Sequence, residues 1–409
     1  MGEYMKNSIN EKLRNQCFNS IKENEKKISV YNVGFILLLV ASVMSNAFST
    51  IYIGPFAYIA AYTYHIVIPI LFFITLVDSL KDGVIIKRAL LIFLIIVIIF
   101  LAILDSRSSY DKVSAFVSTF SFLEMLFIIF IMSRIKLSRK LINAIFIANV
   151  IIALIYIVQS NFDFAFFYIE SRRIISFGFN PNFAGMLLMI NSAILLIAFF
   201  FYKNRTIKAL LILLFIYTVY LIFMTNSRTT IFTIGILIFL SVLKKKVKIT
   251  KPIIVLVTLL PVIFPFIYLK MASIPYFQSI NIFEKGFITG GDIMYNSFFN
   301  NISEWIWLGN FSFSFSNAHN GPLAIALTIG VFGFVIYYLY LWTVLFSILK
   351  TISKSKAKTK SEASTIAFIS ILTLFVHACA EAAFFTHGQH IAVSTGILYL
   401  LAKVDMKNI

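Results

Sequence analysis

The sequence predicts an all-α, polytopic membrane protein: about twelve transmembrane helices, both termini cytoplasmic, and a large external loop between helices nine and ten. Three observations carry this reading. The 409-residue chain is 60% hydrophobic and only 13% charged, with mean hydropathy +0.92, whereas soluble domains carry roughly a quarter charged residues. Apolar runs of about 18–25 residues, long enough to cross a bilayer as helices, recur along the chain. Lysine and arginine alternate sharply between successive connections, as they do when the basic loops stay in the cytoplasm.

Residues 1–29 form a polar, basic tail unlike a cleaved signal peptide, so the first span is expected to act as a signal anchor. Residues 30–409 read as one transmembrane domain. Spans are expected at 30–49, 53–77, 89–104, 114–133, 141–158, 182–202, 208–225, 229–243, 252–270, 321–349, 363–385 and 388–402. The eighth is short and the tenth long, which predicts tilt or a broken end. With the N-terminus inside, 28 of the 35 Lys and Arg residues fall on the cytoplasmic side and seven outside. The net charge of +18 is then a property of short cytoplasmic loops, and no nucleic-acid partner is expected. Those loops are too short for a nucleotide-binding domain. The long connections, about 159–181 and 271–320, lie outside. Cys17 and Cys379 predict neither a disulfide nor a cysteine metal site. The chain has no DxD pair and no Walker sequence, which argues against a metal-held nucleotide sugar.

Three helix starts on the external side combine a capping residue with a basic side chain. In SRRIISFGFNPNFAG, Ser171 to Gly185, Asn180 is a good N-cap, Pro181 suits the first helical position, and Asn182 follows. Arg172 and Arg173 precede them. Guanidinium groups grip phosphate oxygens bidentately, and free N–H groups at a helix start attract anions. The plain alternative is interfacial anchoring beside Phe166, Phe167 and Tyr168. In TNSRTT, Ser227 is the expected N-cap and Arg228 follows it; in NAHNGP, Asn320 is placed to cap, with His319 just before it. His319 suits a general base or a donor to phosphate, or an ordinary loop histidine. Together they describe a positive, donor-rich external rim, better suited to a membrane-bound diphosphate than to a neutral sugar or an ion channel.

In HACAEAAFFTHGQH, His377 and Glu381 are four residues apart and so expected on one helix face, with Glu381 one or two turns below the outer surface. A carboxylate there is costly unless paired, which marks it as functional or as an arginine's structural partner. His377, His387 and His390 do not follow a recognised ligand spacing, and no metal is expected. Deeper still, His65 and Glu124 are expected at similar depth and within reach of each other, as a proton relay or a structural pair. The 271–320 loop carries Asp292, Glu304, Trp305, Trp307 and many Phe and Tyr residues, which suit an interfacial belt and sugar stacking equally.

Taken together, SRRIISFGFNPNFAG, NSRTTIFTIGI, a large external loop, AHNGPLAIALTIGVFGF and HACAE resemble, in order and spacing, the O-antigen polymerase and O-antigen ligase superfamily (Wzy-like and WaaL-like proteins). The likeness runs from Arg172 to about Glu381; the first five spans match only in hydropathy. It implies a metal-independent glycosyltransferase of the bacterial cytoplasmic membrane, its active site facing the exterior, with no cofactor. Its substrate would be an oligosaccharide on undecaprenyl diphosphate, within membrane lipid, and its partners a chain-length regulator and a flippase. On that footing Arg172 or Arg173 and Arg228 hold the diphosphate, with Asn180, Asn182 and Asn320 at the same helix starts. His319 serves the acceptor hydroxyl or the phosphate, and Glu381 is the second candidate base. The aromatic-rich loop, poor in further basic residues, favours a polymerase of O-antigen or capsule over a ligase acting on lipid A-core. A flippase or other secondary transporter is the reading from another class, since midplane charges also mark carriers.

Overall fold

The computed structural model describes residues 30–45, 54–81, 85–108, 112–161, 167–170, 173–176, 181–244, 246, 249–282, 285–286, 291–309, 320–354, 362–381 and 389–403. The first half holds α1 (Val30–Ser45), α2 (Gly54–Lys81), α3 (Ile85–Ser108), α4 (Lys112–Met132) and α5 (Arg139–Asn161). A hairpin of β1 (Phe167–Glu170) and β2 (Arg173–Ser176) leads to α6 (Pro181–Phe201), α7 (Arg205–Met224), α8 (Arg228–Val242) and α9 (Lys251–Ala272). Then come α10 (Pro275–Ser279), a second hairpin of β3 (Asn281–Ile282) and β4 (Lys285–Gly286), α11 (Gly291–Asn300) and α12 (Ile302–Trp305). The chain finishes with α13 (Gly321–Lys354), α14 (Glu362–His377) and α15 (Gln389–Lys403). Among the described residues, six helices are long and apolar enough to cross a membrane and six more are shorter apolar helices. Each expected span overlaps one of these. The all-α reading stands, and two small hairpins fall in the two connections expected outside. Short runs such as Phe167–Glu170 and Arg173–Ser176 are β-branched or aromatic at alternate positions and pair locally.

The helices form because an apolar run in an apolar surrounding must satisfy its backbone internally. Outward faces stay apolar: Leu210, Leu213, Ile216, Tyr220 and Phe223 of α7 are all exposed, as are Leu256, Ile263 and Phe266 of α9. On a soluble protein such a surface would aggregate; the apolar helices and their apolar exteriors belong to a membrane-embedded protein. Among the described residues, α6 and α14 have no outer face. Every residue of α14 from 363 to 375 is buried, and so is every residue of α6 from 184 to 198. A helix buried all round occupies the centre: α14 packs on α6, α8, α9, α13 and α15, and α6 packs on α5, α7 and α8. Polar side chains in this interior turn back onto their own helix, as Thr258 Oγ1 does to Ile254 O at 2.9 Å and Thr328 Oγ1 to Ala324 O at 2.7 Å. Others join helices, as Ser192 donates to Thr218 at 2.8 Å and Trp342 Nε1 to Thr258 Oγ1 at 2.8 Å.

Contacts sort the helix termini into two ends. Lys244, closing α8, pairs with Glu362, opening α14, at 3.3 Å and lies over the Phe200 ring near the end of α6. Lys403 at the end of α15 donates to Ser133 O just past α4, and Arg134 donates to Ser79 Oγ near the end of α2. One end of the bundle is therefore lined with basic side chains. The other gathers the starts of α6, α8 and α13 around the end of α14.

At 34 residues, α13 would be about 51 Å long as one helix, well beyond a hydrocarbon core of about 30 Å. It is broken at Gly330 (φ 64°, ψ −177°), a conformation essentially reserved for glycine. The break makes residues 321–329 a short half-helix. Val331 N donates to Ile306 O at 2.8 Å, and Gly309, also at positive φ (77°), faces Gly330. A Cβ on Gly330 would lie 2.3 Å from Trp307 O, and one on Gly309 would lie 2.3 Å from Thr328 O. The loop and the half-helix thus touch backbone to backbone.

Gly330→Ala is expected to cost about 1–3 kcal/mol in backbone strain alone, with the clash in addition, and to lower the thermal unfolding temperature in detergent sharply. Gly235→Ala in α8, where an added Cβ meets nothing within 4 Å, should raise stability by about 0.5–1 kcal/mol. Equal effects at the two positions would count against the locked break.

Candidate functional site

The polar end of the bundle is built around Asn320. Its Oδ1 accepts from Leu323 N at 3.0 Å, capping the half-helix as the Asn-Gly-Pro sequence predicts. Its Nδ2 donates to Pro261 O at 2.8 Å and to Cys379 O at 2.9 Å. The first of these carbonyls has a chemical reason to need a donor. Within α9 the N–H four residues after 261 belongs to Pro265, which has none. Asn320 supplies the missing hydrogen. Both amide hydrogens and the amide oxygen are engaged by the protein, so Asn320, expected among the substrate-binding residues, stands here as the anchor of the half-helix.

The end of α14 is shaped by the same contacts. The helix tightens after His377: Cys379 N donates to Val376 O and Ala380 N to His377 O, each three residues back. Gly321 N then takes the Ala378 carbonyl at 3.2 Å, while Asn320 and Tyr295 Oη take that of Cys379. The expectation that His377 and Glu381 share a helix face is corrected. The helix stops at His377, and Glu381 follows in a turn because neighbouring donors draw its carbonyls away from the helical ladder. Cys379 is a free, buried thiol.

Glu381 is 7% exposed and accepts from Asn182 Nδ2, on the second residue of α6. Burial pushes its carboxyl up to about 8, opposed in part by the Asn182 hydrogen bond. Near neutrality it is therefore a carboxyl balanced between acid and base. Two residues that the sequence placed at the site, 199 positions apart, meet here.

Arg228 opens α8, half-buried, and donates from Nη1 to Gly286 O in the β3–β4 hairpin at 2.7 Å. The turn before it is tight: Asn226 takes positive φ (54°), a conformation asparagine tolerates, and Ser227 N donates to Thr225 Oγ1 at 3.3 Å. Ser227 occupies the N-cap position, but its side chain makes no cap hydrogen bond; it pairs with the Thr230 hydroxyl at 2.9 Å instead. The expected Ser227 cap is thus corrected by a competing side-chain partner. Beneath it lies His377, fully buried, with Nε2 3.2 Å from Thr230 Oγ1. Sequence spacing offered no signal for that contact, which spans 147 residues.

Of the other expected site residues, Arg172, Asn180 and His319 lie outside the described residues, and Arg173 is described only as a backbone position of β2, opposite Glu170. Outside this cluster, His65 Nδ1 and Glu124 pair at 2.9 Å between α2 and α4, as expected from their depth. A cavity of about 70 Å³ between α4, α13, α14 and α15, lined by Phe122, Tyr340, Phe375 and Tyr399 among others, shares no residue with the polar end.

Two outcomes are expected. Asn320→Asp keeps the cap acceptor but loses both donors; the Cys379 carbonyl keeps Tyr295 Oη, so the cost should be roughly 1–3 kcal/mol for the orphaned Pro261 carbonyl, measured by thermal unfolding; an unchanged melting temperature would contradict the bridging role. Because the folded Glu381 carboxyl holds its proton up to about 8 from an ordinary 4.5, its contribution to stability is full below pH 4.5 and is lost as pH rises through 8. Glu381→Gln should flatten the fall in melting temperature across that window, and a slope unchanged in the variant would assign it elsewhere. Compared with known proteins, the chain matches no protein-family model and no curated protein.

Proposed function

We propose that this chain is a membrane glycosyltransferase that polymerises a glycan carried on undecaprenyl diphosphate, acting at the external face of the bacterial cytoplasmic membrane. The observation that carries the reading is the convergence of three helix starts, α6, α8 and the half-helix of α13, on one end of the bundle, with Arg228, Asn182 and Glu381 among them. Helix starts bring positive dipole ends and an arginine brings a fixed charge, the pairing that a leaving diphosphate requires. The basic helix termini lie at the opposite end, which the charge rule for cytoplasmic loops assigns to the inside. In the reaction, an acceptor sugar hydroxyl attacks the anomeric carbon and the bond to the diphosphate oxygen breaks. The lipid diphosphate leaves with the electron pair, and the hydroxyl proton passes to a base. Arg228 faces the growing charge; Glu381, its carboxyl raised towards neutrality, is a stronger base than an ordinary glutamate. The resemblance to O-antigen polymerases and ligases supports the substrate class and adds His319 and the Arg172–Arg173 pair. In the connection between α9 and α13, the exposed rings of Tyr276 and Trp307, outside the buried layer of Tyr295, Phe298 and Trp305, support a sugar-reading surface over one for lipid A-core.

One observation favours a carrier instead: the His65–Glu124 pair inside the bundle. Flux in liposomes that depends on His65, without glycan transfer, would support that reading.

The test is purified protein with lipid-linked repeat units, EDTA and no nucleotide sugar, the products run on a gel. A ladder is expected, reduced about a hundredfold or more by Arg228→Ala and impaired by His319→Ala. Transfer only to lipid A-core would make it a ligase, and no transfer to either acceptor would overturn the enzyme reading.

A further inference from the structure

Three helices meet at one hydroxyl. Thr230 Oγ1, in the first turn of α8, lies 2.9 Å from Ser227 Oγ and 3.2 Å from His377 Nε2 of α14. Gly185 of α6 closes the third side, where a Cβ would come within 2.6 Å of the same oxygen. Ser227, Thr230 and His377 are each 0% exposed, and His377 Nδ1 has no hydrogen-bond partner among the described residues.

Counting hydrogens gives this chain a direction. A neutral imidazole carries one N–H. On Nδ1 it would be a buried donor without an acceptor, which costs more than an unpaired lone pair. The proton is assigned to Nε2, which donates to Thr230, and the Thr230 hydroxyl then donates to Ser227. Ser227 sits at the N-cap of α8, where its oxygen would ordinarily accept from the N–H groups of its own first turn; here it turns to Thr230 instead.

We propose that His377 is a positioning residue for the anion-binding end of α8: through Thr230 it holds the Ser227 hydroxyl away from the backbone N–H groups of the first helical turn, keeping those groups and Arg228 in place for a phosphate group. The same chain fixes the start of α8 to the stretch of α14 that leads to Glu381, so the group facing the leaving diphosphate and the candidate base keep a set spacing. Gly185 belongs to the device, because a larger residue would push Thr230 off His377. This inference rests on the diphosphate reading of the site.

The experiment measures binding of a fluorescent short-chain prenyl diphosphate to the full-length protein in nanodiscs. Thr230→Val, which keeps the shape and removes the hydroxyl, and His377→Leu are expected to weaken binding on the order of tenfold. Thr230→Ser should recover most of the Thr230→Val loss, and His377→Gln, whose amide reaches the position of Nε2, most of the His377→Leu loss. On an Arg228→Ala background, Thr230→Val should add less than about twofold, since both act through one turn. Wild-type affinity in Thr230→Val and His377→Leu, or losses that multiply with that of Arg228→Ala, would overturn the positioning role while leaving the diphosphate site intact. Failure of the wild type to bind the probe would overturn both. If His377→Leu does not fold, the Thr230 variants decide.

Discussion

A carbonyl that loses its N–H partner inside a membrane protein has no water to turn to, and the Asn320 amide answers that constraint twice. Pro265 removes the donor for Pro261 O, and the turn at the end of α14 releases Cys379 O; one side chain reaches both while capping the half-helix with its oxygen. Three elements distant in sequence are held at one point. The direction of the half-helix, the end of α14 and the placement of Glu381 all follow from that junction.

A second backbone junction works alongside it. Gly309 and Gly330 press main chain against main chain, so the layer of α11 and α12 cannot slide over the half-helix without unmaking the break. Tyr295 and Trp305 fill the space between them with rings rather than flexible side chains. The polar end thus combines a rigid scaffold with two groups suited to chemistry, the Arg228 guanidinium and the buried Glu381 carboxyl.

How much of this is legible in the sequence depends on the range of the interaction. Apolar runs place the helices because membrane hydrophobicity is a local property. The Asn320 cap is readable from Asn-Gly-Pro for the same reason. The end of α14 is not, since no glycine or proline stops it; donors from Asn320, Gly321 and Tyr295 do. Ser227 reads as a cap and would be one in isolation, but it pairs with the Thr230 hydroxyl, which His377 engages from across the bundle. Asn182 and Glu381 are each noticeable in the sequence, yet nothing in either neighbourhood names the other as its partner.

The burial of α14 has a consequence for how the protein is made. Synthesis runs from the N-terminus, and α14 leaves the ribosome after α6, α8, α9 and α13. Four of the five helices packed on it, α6, α8, α9 and α13, are synthesised before the one they enclose exists, and α15 follows it. The bundle does not assemble by adding each new helix to the outside of a finished core. It closes around a late arrival, and a nascent chain that stops short of residue 362 lacks one of the two helices at its centre.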